Sequence, residues 1–441
     1  MSLTSKSIRM VLEIKGPNII FTKDAVIEEI RGAKALVFYT ELKLQPEHCP
    51  ACGFASKLVR YGFERTCVLM PSYSYRPTYM KLSRQRFRCE LCRSVFQSET
   101  DYVRPRSTIS TPVRQMVLFE AFSNCSLTDI ARRFHVADKT VQRIIDEEAA
   151  KHNYHQKLWL PKHLAFDEFK ATNKMIFIWG DGDRHQIGAI LPSRTAYAIT
   201  KYFEGFPLSV RQQVQTVSLD RNAGYINLVP RLFPNAKIVV DRFHIVQMVS
   251  TALNMVRIQV MKGRSKRSKE YRFMKREWKI FLKDLNELEA IKPTYHTSVG
   301  YYETTVNLVA KSLDLSPEFR SAYEVYQEII GAVRKRDASA LAAALESYRS
   351  LGNRMDQSIK TLKKYKRQVI NALRYEYSNG FLEGINGIIK KIKNTAYGYT
   401  NWNNFINRIF LERVWFRAKS SKAAACLLYT SPSPRDTERS R

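Results

Sequence analysis

The sequence predicts an α/β protein whose largest part is a mixed sheet with helices packed on it, preceded by smaller modules. Three observations carry that expectation. Over residues 160–250, short apolar runs read strand, turn, strand, and later segments alternate helix with strand. Over 251–370 the chain is helical in period and dense in charge, so a helical insertion interrupts the sheet domain before its last part at 371–418. Ahead of both stand two Cys-x-x-Cys pairs and a short helical segment. Three strands followed by alternating helix and strand is the ribonuclease H-like layout, the fold expected for 160–250 together with 371–418.

Composition narrows the function. The chain has 72 Lys+Arg against 41 Asp+Glu, and 72 − 41 = +31 is the electrostatic footprint of a polyanionic partner, most simply nucleic acid. With 44% hydrophobic and 12% aromatic residues it has the side chains for real cores, which excludes a disordered basic tail. Charge breaks every apolar stretch well short of the roughly 20 residues of a membrane span. Met1-Ser-Leu-Thr-Ser-Lys6 also lacks a signal peptide's apolar run. A soluble cytoplasmic protein with no membrane partner is expected. Of seven cysteines, four fall in the two Cys-x-x-Cys pairs, which favours reduced thiols and metal over a disulfide framework.

Residues 1–45 mix short apolar runs with Gly and Pro breaks and read as a β-containing lead-in without a legible function. Residues 46–105 read as a zinc ribbon. Cys49-Pro-Ala-Cys52-Gly and Cys89-Glu-Leu-Cys92 are two thiolate turns, and together they make a four-sulfur tetrahedral site for one structural Zn²⁺. The 36 residues between the pairs form a long hairpin with Arg84, Arg86 and Arg88 beside the second turn. Cys67 and Cys125 read as ordinary buried thiols.

Residues 106–155 read as a helix-turn-helix DNA-binding domain. Ile130, Ala131, Phe134, Val136, Val141, Ile144 and Ile145 make one buried set, with Ser126 capping the first helix and Asp138 the second. The second helix then presents Lys139, Thr140, Gln142 and Arg143 to a major groove.

In the sheet domain the strands are His163–Phe169, Met175–Trp179 and Gln186–Leu191, with Ala196–Tyr202 continuing the extended rhythm, then Val217–Leu219 and Lys237–Val240. Helices fall near Ser209–Gln215 and Tyr225–Arg231. Asp167 lies on the first strand and Asp220 at the end of the fourth, neighbours in such a sheet. Asp241 also ends a strand and is the alternative second acid. Asp181 and Asp183 read as hairpin-turn residues, and Glu168 faces away from Asp167.

The third acid is on a helix. At 100° per residue Asn379, Glu383, Asn386 and Lys390 share one face, while Phe381, Leu382, Ile385, Ile388, Ile389 and Ile392 occupy the other. Carboxylates repel the phosphates that the basic surface attracts and repel one another. A divalent cation bound through oxygen reconciles Asp167, Asp220 and Glu383 with their setting.

The basic runs of 251–370 suit a solvated face or a DNA track equally. Gly398-Tyr399 through Phe405 supplies aromatics to dock a closing helix. Residues 419–441 are expected outside the fold: from Cys426 the chain has no periodicity and reads as vector-derived.

These residues together resemble a bacterial family. Cys49-Pro-Ala-Cys-Gly, Asp167-Glu-Phe169, Phe233-Pro-Asn-Ala236 before Asp241-Arg-Phe-His244, and Ser378-Asn-Gly380 through Glu383-Gly-Ile-Asn386 to Lys390 are similar to the DDE transposases of the ISL-type (ISL-three family) insertion sequences. The resemblance covers roughly residues 45–418. It implies binding to the terminal inverted repeats of a mobile element, with strand cleavage there and strand transfer into target DNA.

It also implies Asp167, Asp220 and Glu383 as the metal-binding triad holding two Mg²⁺ (or Mn²⁺) ions. Double-stranded DNA is then the partner, and a homo-oligomer synapses two ends. His244, Asn379, Asn386 and Lys390 become candidates for DNA contact, with solvated lysine an equal reading for Lys390. The alternative is a catalytically inactive zinc and helix-turn-helix regulator derived from a transposase.

Overall fold

The computed structural model describes residues 3–14, 17–54, 58–122, 125–151, 159–171, 174–220, 223–395, 399 and 401–420. The tail from residue 421 lies outside them. The chain divides into two compact units, Met1–Asn153 with Ile389–Arg441, and Tyr154–Ile388.

In the first unit, α1 (Leu3–Val11) precedes a six-stranded sheet of β1 (Ile19–Phe21), β2 (Val26–Ile30), β3 (Ala33–Leu42), β4 (Leu58–Tyr73), β5 (Arg76–Cys89) and β6 (Val95–Gln97). β3 receives β1 and β2 antiparallel on one edge and runs parallel to β5 on the other, so lead-in and hairpin residues share one sheet. The β4–β5 hairpin closes through Ser74 and Tyr75, both at positive φ (49° and 61°), the backbone that matches a two-residue turn to strand twist. Its buried face joins Leu12, Ile14, Ile19, Phe38 and Leu42 to Val68, Met70, Met80 and Leu82. Cys67 alternates with buried Val68 and is exposed, while Cys125 is half-buried, so neither is the buried thiol that the sequence suggested.

Three helices follow, α2 (Thr111–Ala121), α3 (Leu127–Arg133) and α4 (Asp138–Ala150). Ser126 caps α3 as expected, its Oγ accepting from Asp129 N at 3.1 Å. Asp138 does not cap α4. The cap position falls on Ala137, and Asp138 Oδ2 instead accepts from Thr128 Oγ1 at 2.8 Å, tying the two helices together.

The second unit holds β7 (His163–Ala171), β8 (Lys174–Asp181), β9 (Gln186–Leu191), α5 (Ala196–Glu204), α6 (Leu208–Gln212), β10 (Thr216–Leu219), α7 (Ala223–Leu232) and β11 (Lys237–Val240). Ala196–Tyr202 is therefore helix, not strand. Thr195 Oγ1 accepts from Ala198 N, and Ile199 and Phe203, four residues apart, are buried, so cap and period outweigh the β-propensity of its aromatics. The sheet order is β11-β10-β7-β8-β9, with β7, β8 and β9 antiparallel and β10 and β11 parallel to β7.

Beyond it lie α8 (Arg242–Lys262), α9 (Lys269–Arg276), the small hairpin β12 (Thr294–His296) and β13 (Tyr301–Glu303), α10 (Thr305–Leu313), α11 (Pro317–Lys335), α12 (Ala338–Ser347), α13 (Arg354–Lys364), α14 (Lys366–Arg374) and α15 (Gly380–Thr395). These helices build a second core around Val249, Val256, Phe281, Phe319, Tyr326 and Ile359, which takes in Val240 of β11, beside the sheet's core of Phe166, Phe177, Trp179, Phe203 and Phe233.

The last helix, α16 (Trp402–Ser420), belongs to the first unit and packs on α4, where Asn407 Nδ2 donates to Asp146 Oδ1 at 2.9 Å. Among the described residues no helix is long and apolar enough to cross a membrane.

Candidate functional site

Asp167 sits mid-strand in β7, opposite Ile178 of β8. β10 runs parallel to β7 through the pair Ser218↔Ala165, and two residues further along each chain come Asp220 and Asp167. Thr216 to Leu219 are all buried, so Asp220 is the first residue of that segment to emerge. Glu383 is exposed in the first turn of α15, whose other face buries Leu382, Ile385 and Ile389. That helix is seated where a side chain would not fit: a Cβ on Gly180 would lie 2.7 Å from the Phe381 ring.

The electrostatics draw the three acids together. Burial pushes the Asp167 carboxyl up to about 7; the Glu168 amide works against this, and the charges of Asp220 and Glu383 add to it. His244, in the first turn of α8, places Nε2 2.6 Å from Asp220 Oδ1 and 3.9 Å from Glu383 Oε1. Its bond to Asp220 raises the imidazole above its usual range.

Two asparagines hold the sheet acids. Asn386 Nδ2 donates to Asp167 Oδ2 at 2.8 Å and Asn379 Nδ2 to Asp220 Oδ1 at 2.8 Å. Both are buried, Asn379 completely and Asn386 to 8% exposure.

Asp241 is engaged differently. It caps α8, with Oδ1 accepting from Phe243 N at 2.8 Å and Oδ2 from Asn379 N at 3.3 Å. Glu168 pairs with Arg194 at 2.5 Å. Asp181 Oδ1 accepts from the backbone of Asp183 and Arg184, which is turn chemistry. Lys390 is exposed on the same helix as Glu383.

In the first unit Cys49, Cys52, Cys89 and Cys92 converge, and all four sulfurs lie within 4.8 Å of one another. Among the described residues this is the group of His, Cys, Asp or Glu drawn that tightly; Asp167, Asp220 and Glu383 form no such group. Cys49 Sγ and Cys92 Sγ are 3.6 Å apart and Cys52 Sγ and Cys89 Sγ 3.7 Å. A tetrahedral ion with bonds of about 2.3 Å sets sulfurs about 3.8 Å apart, so the site could hold a metal.

Each turn carries a left-handed residue just after its second cysteine, Gly53 at φ 75° and Arg93 at φ 59°. Ser94, unforeseen from the sequence although it stands two residues past Cys92, lies 3.3 Å from Cys49 Sγ and 3.0 Å from Cys92 Sγ. It holds the Cys49 thiol down to about 6. At Cys52 the Phe54 amide favours thiolate, yet burial and the neighbouring sulfurs push it up to about 12.

On α4, Lys139 and Arg143 are exposed, and Thr140 and Gln142 are half-buried, with Gln142 Nε2 donating to Asp146 Oδ1 at 2.8 Å. Val141, Ile144 and Ile145 bury the opposite face.

Comparison with known proteins bears on both units. A family model described as transposase matches residues 164–409, more than half of the chain, and one for the helix-turn-helix domain of transposase family ISL3 matches 99–149. A transposase for insertion sequence element IS1001 from Bordetella parapertussis is 21% identical over 368 residues, 82% of this chain and 87% of that protein. A protein named ATP-dependent protease from Lactococcus lactis subsp. lactis is 35% identical over 108 residues, 24% of this chain and 35% of that protein, so the match spans about a third of that relative.

Proposed function

The chain belongs to the ISL3 family of DDE transposases, and from that premise we propose that it binds the terminal inverted repeats of an insertion sequence and catalyses metal-dependent strand cleavage and strand transfer. The observation that carries the proposal is the meeting of acids from β7, β10 and α15, with Asp167 raised to about 7 by burial and by the other two charges.

We read the sheet as ribonuclease H-like, supported by its order β11-β10-β7-β8-β9 and by three antiparallel strands followed by two parallel ones. The helices of 251–370, which build a second core, then stand as an insertion before α15.

The donor set at the acids is carboxylate oxygen, which suits hard cations such as Mg²⁺ or Mn²⁺. Bound there, a pair of such ions would supply a water of lowered pKa and charge stabilisation for the leaving 3′ oxygen. Asp167, Asp220 and Glu383 are the residues that would hold those ions, Asp167 from the sheet and Glu383 from α15. His244 lies beside Asp220 and Glu383, and its bond to Asp220 favours the protonated ring there. Asp241, with both oxygens bonded to backbone amides, acts as a helix cap.

The four cysteines suit one structural Zn²⁺ by sulfur chemistry and spacing. On α4, exposed Lys139 and Arg143 would meet phosphate or base edges, with Thr140 and Gln142 beside them, although Arg143 also pairs with Glu147 at 3.9 Å. Holding two ends at once calls for a homo-oligomer. The regulator reading has no support in a site that keeps all three acids.

The test is cleavage of a labelled element end with Mg²⁺ or Mn²⁺. Asp167→Asn, Asp220→Asn and Glu383→Gln are expected to abolish cutting while retaining end binding. If Asp220→Asn still cuts and Asp241→Asn does not, the second acid is Asp241. Parental cutting by all four variants would remove the metal mechanism.

A further inference from the structure

We propose that Asn379 and Asn386 are positioning residues, two amide clamps through which α15 fixes the Asp220 and Asp167 carboxylates and registers Glu383 against them. The inference rests on the reading of those acids as metal holders. It differs from the DNA contact expected of both asparagines.

Residues 379, 383 and 386 follow the spacing i, i+4, i+7, so one helical face carries amide, carboxylate, amide. The amides reach across to the sheet. Asn386 Nδ2 donates to Asp167 Oδ2 at 2.8 Å and also to Glu168 O at 3.3 Å, and Asn379 Nδ2 donates to Asp220 Oδ1 at 2.8 Å. An exchange of amide oxygen and nitrogen would aim an acceptor at a carboxylate, which fixes the orientation.

Asn379 makes the case sharper. It immediately precedes α15, where an asparagine ordinarily turns its side-chain oxygen onto the amides of the first turn. Here that Oδ1 is buried without a hydrogen-bond partner, and the nitrogen goes to Asp220. The residue forgoes its own cap to hold an acid. Asn386 Oδ1 is likewise buried and unpartnered, its nitrogen committed to Asp167. Two buried polar atoms left unsatisfied are a cost that plain helix packing would not select. Side chains this buried, Asn379 at 0% and Asn386 at 8% exposure, are also poorly placed to touch DNA.

Groups that orient metal ligands typically change metal affinity by about 10–100-fold when removed. The full-length protein is therefore titrated with Mn²⁺ by calorimetry at pH 8 without DNA, and end binding is measured separately by gel shift without added divalent metal. Asn386→Ala and Asn379→Ala are expected to weaken Mn²⁺ binding by about tenfold or more. End binding should stay at the parental level, and saturating Mn²⁺ should restore much of the cleavage rate.

Unchanged Mn²⁺ affinity in both variants overturns the clamp. Weakened end binding with normal Mn²⁺ affinity overturns it in favour of DNA contact. Asp167→Asn is the control: parental Mn²⁺ affinity there sinks the metal reading itself, an outcome distinct from failure of the clamp alone. Asn386→Ser and Asn379→Ser, small and polar, take the same titration if an alanine variant fails to fold.

Discussion

His244 Nε2 lies 2.6 Å from Asp220 Oδ1, so an imidazole in the first turn of α8 meets a carboxylate just past the end of β10. The partnership raises the histidine above its ordinary value, which gives the pair a pH signature. Stability from a raised histidine is full below the unfolded value of about 6.5 and is lost as pH climbs through the folded one. Without added divalent metal, His244→Gln should melt below the parent at pH 6 and match it by pH 9. Because Asp220 is 41% exposed, the deficit should stay under about 1 kcal/mol. An equal deficit at both pH values would mean that the ring matters only for packing.

Asp167 has the opposite sense. A carboxyl raised to about 7 keeps its proton across the range where the unfolded chain, near 3.9, has lost it, so folding stability declines between those values. Metal must displace that proton. Mn²⁺ affinity should rise by about tenfold per pH unit from pH 5 to 7 and level off above, with one proton released per binding event. Asp167→Asn should remove the slope. A flat profile in the parent would show that Asp167 is ionised throughout.

The glycines near Glu383 divide by environment. Gly384 and Gly387 lie inside α15 with nothing within 4 Å of a built Cβ, so alanine at either should stabilise by about 0.5–1 kcal/mol in a denaturant melt. At Gly180 a Cβ would fall 2.7 Å from Phe381 and from the Gln186 carbonyl. Gly180→Ala should destabilise by roughly 1–3 kcal/mol and loosen the seat of α15. A stability gain at Gly180 would contradict this packing.

The four-cysteine site makes a compositional prediction. Elemental analysis should find one zinc per chain, lost in Cys52→Ser and retained in Cys67→Ser and Cys125→Ser. Since Ser94 holds the Cys49 thiol down, Ser94→Ala should weaken zinc binding more at pH 6 than at pH 8, where thiolate forms more readily without help. Equal loss at both pH values would assign Ser94 to the shape of the turn alone.

Much of this was legible in the chain. Strand order alone brought Asp167 and Asp220 to adjacent strands, because a parallel pairing of the first and fourth strands leaves little freedom. The cysteine pairs and most of the buried set of the helix-turn-helix were likewise readable, being local patterns of ligand spacing and period, although Val136, in the turn, is half-buried and not core.

What stayed hidden depended on competition between neighbours. Ala196–Tyr202 is rich in aromatics that suit a strand, and only the Thr195 cap with buried Ile199 and Phe203 resolves it as helix. Asp138 looked like a cap, but Ala137 takes that position. The asparagines of α15 announced a polar face without revealing whether it met DNA or the sheet acids, since an amide serves either.

Asp167 is held within the β7 ladder opposite Ile178, whereas Asp220 stands past its strand's last pair and Glu383 rides on a helix. A shift of Asp167 would have to break sheet hydrogen bonds. The other two acids are held by side-chain and helix contacts instead, Asp220 by Asn379 and His244 and Glu383 by the seat of α15. The trio is therefore anchored unevenly: the sheet sets the datum at Asp167, and a change in their spacing would come from α15 or from the segment after β10 before it came from the ladder.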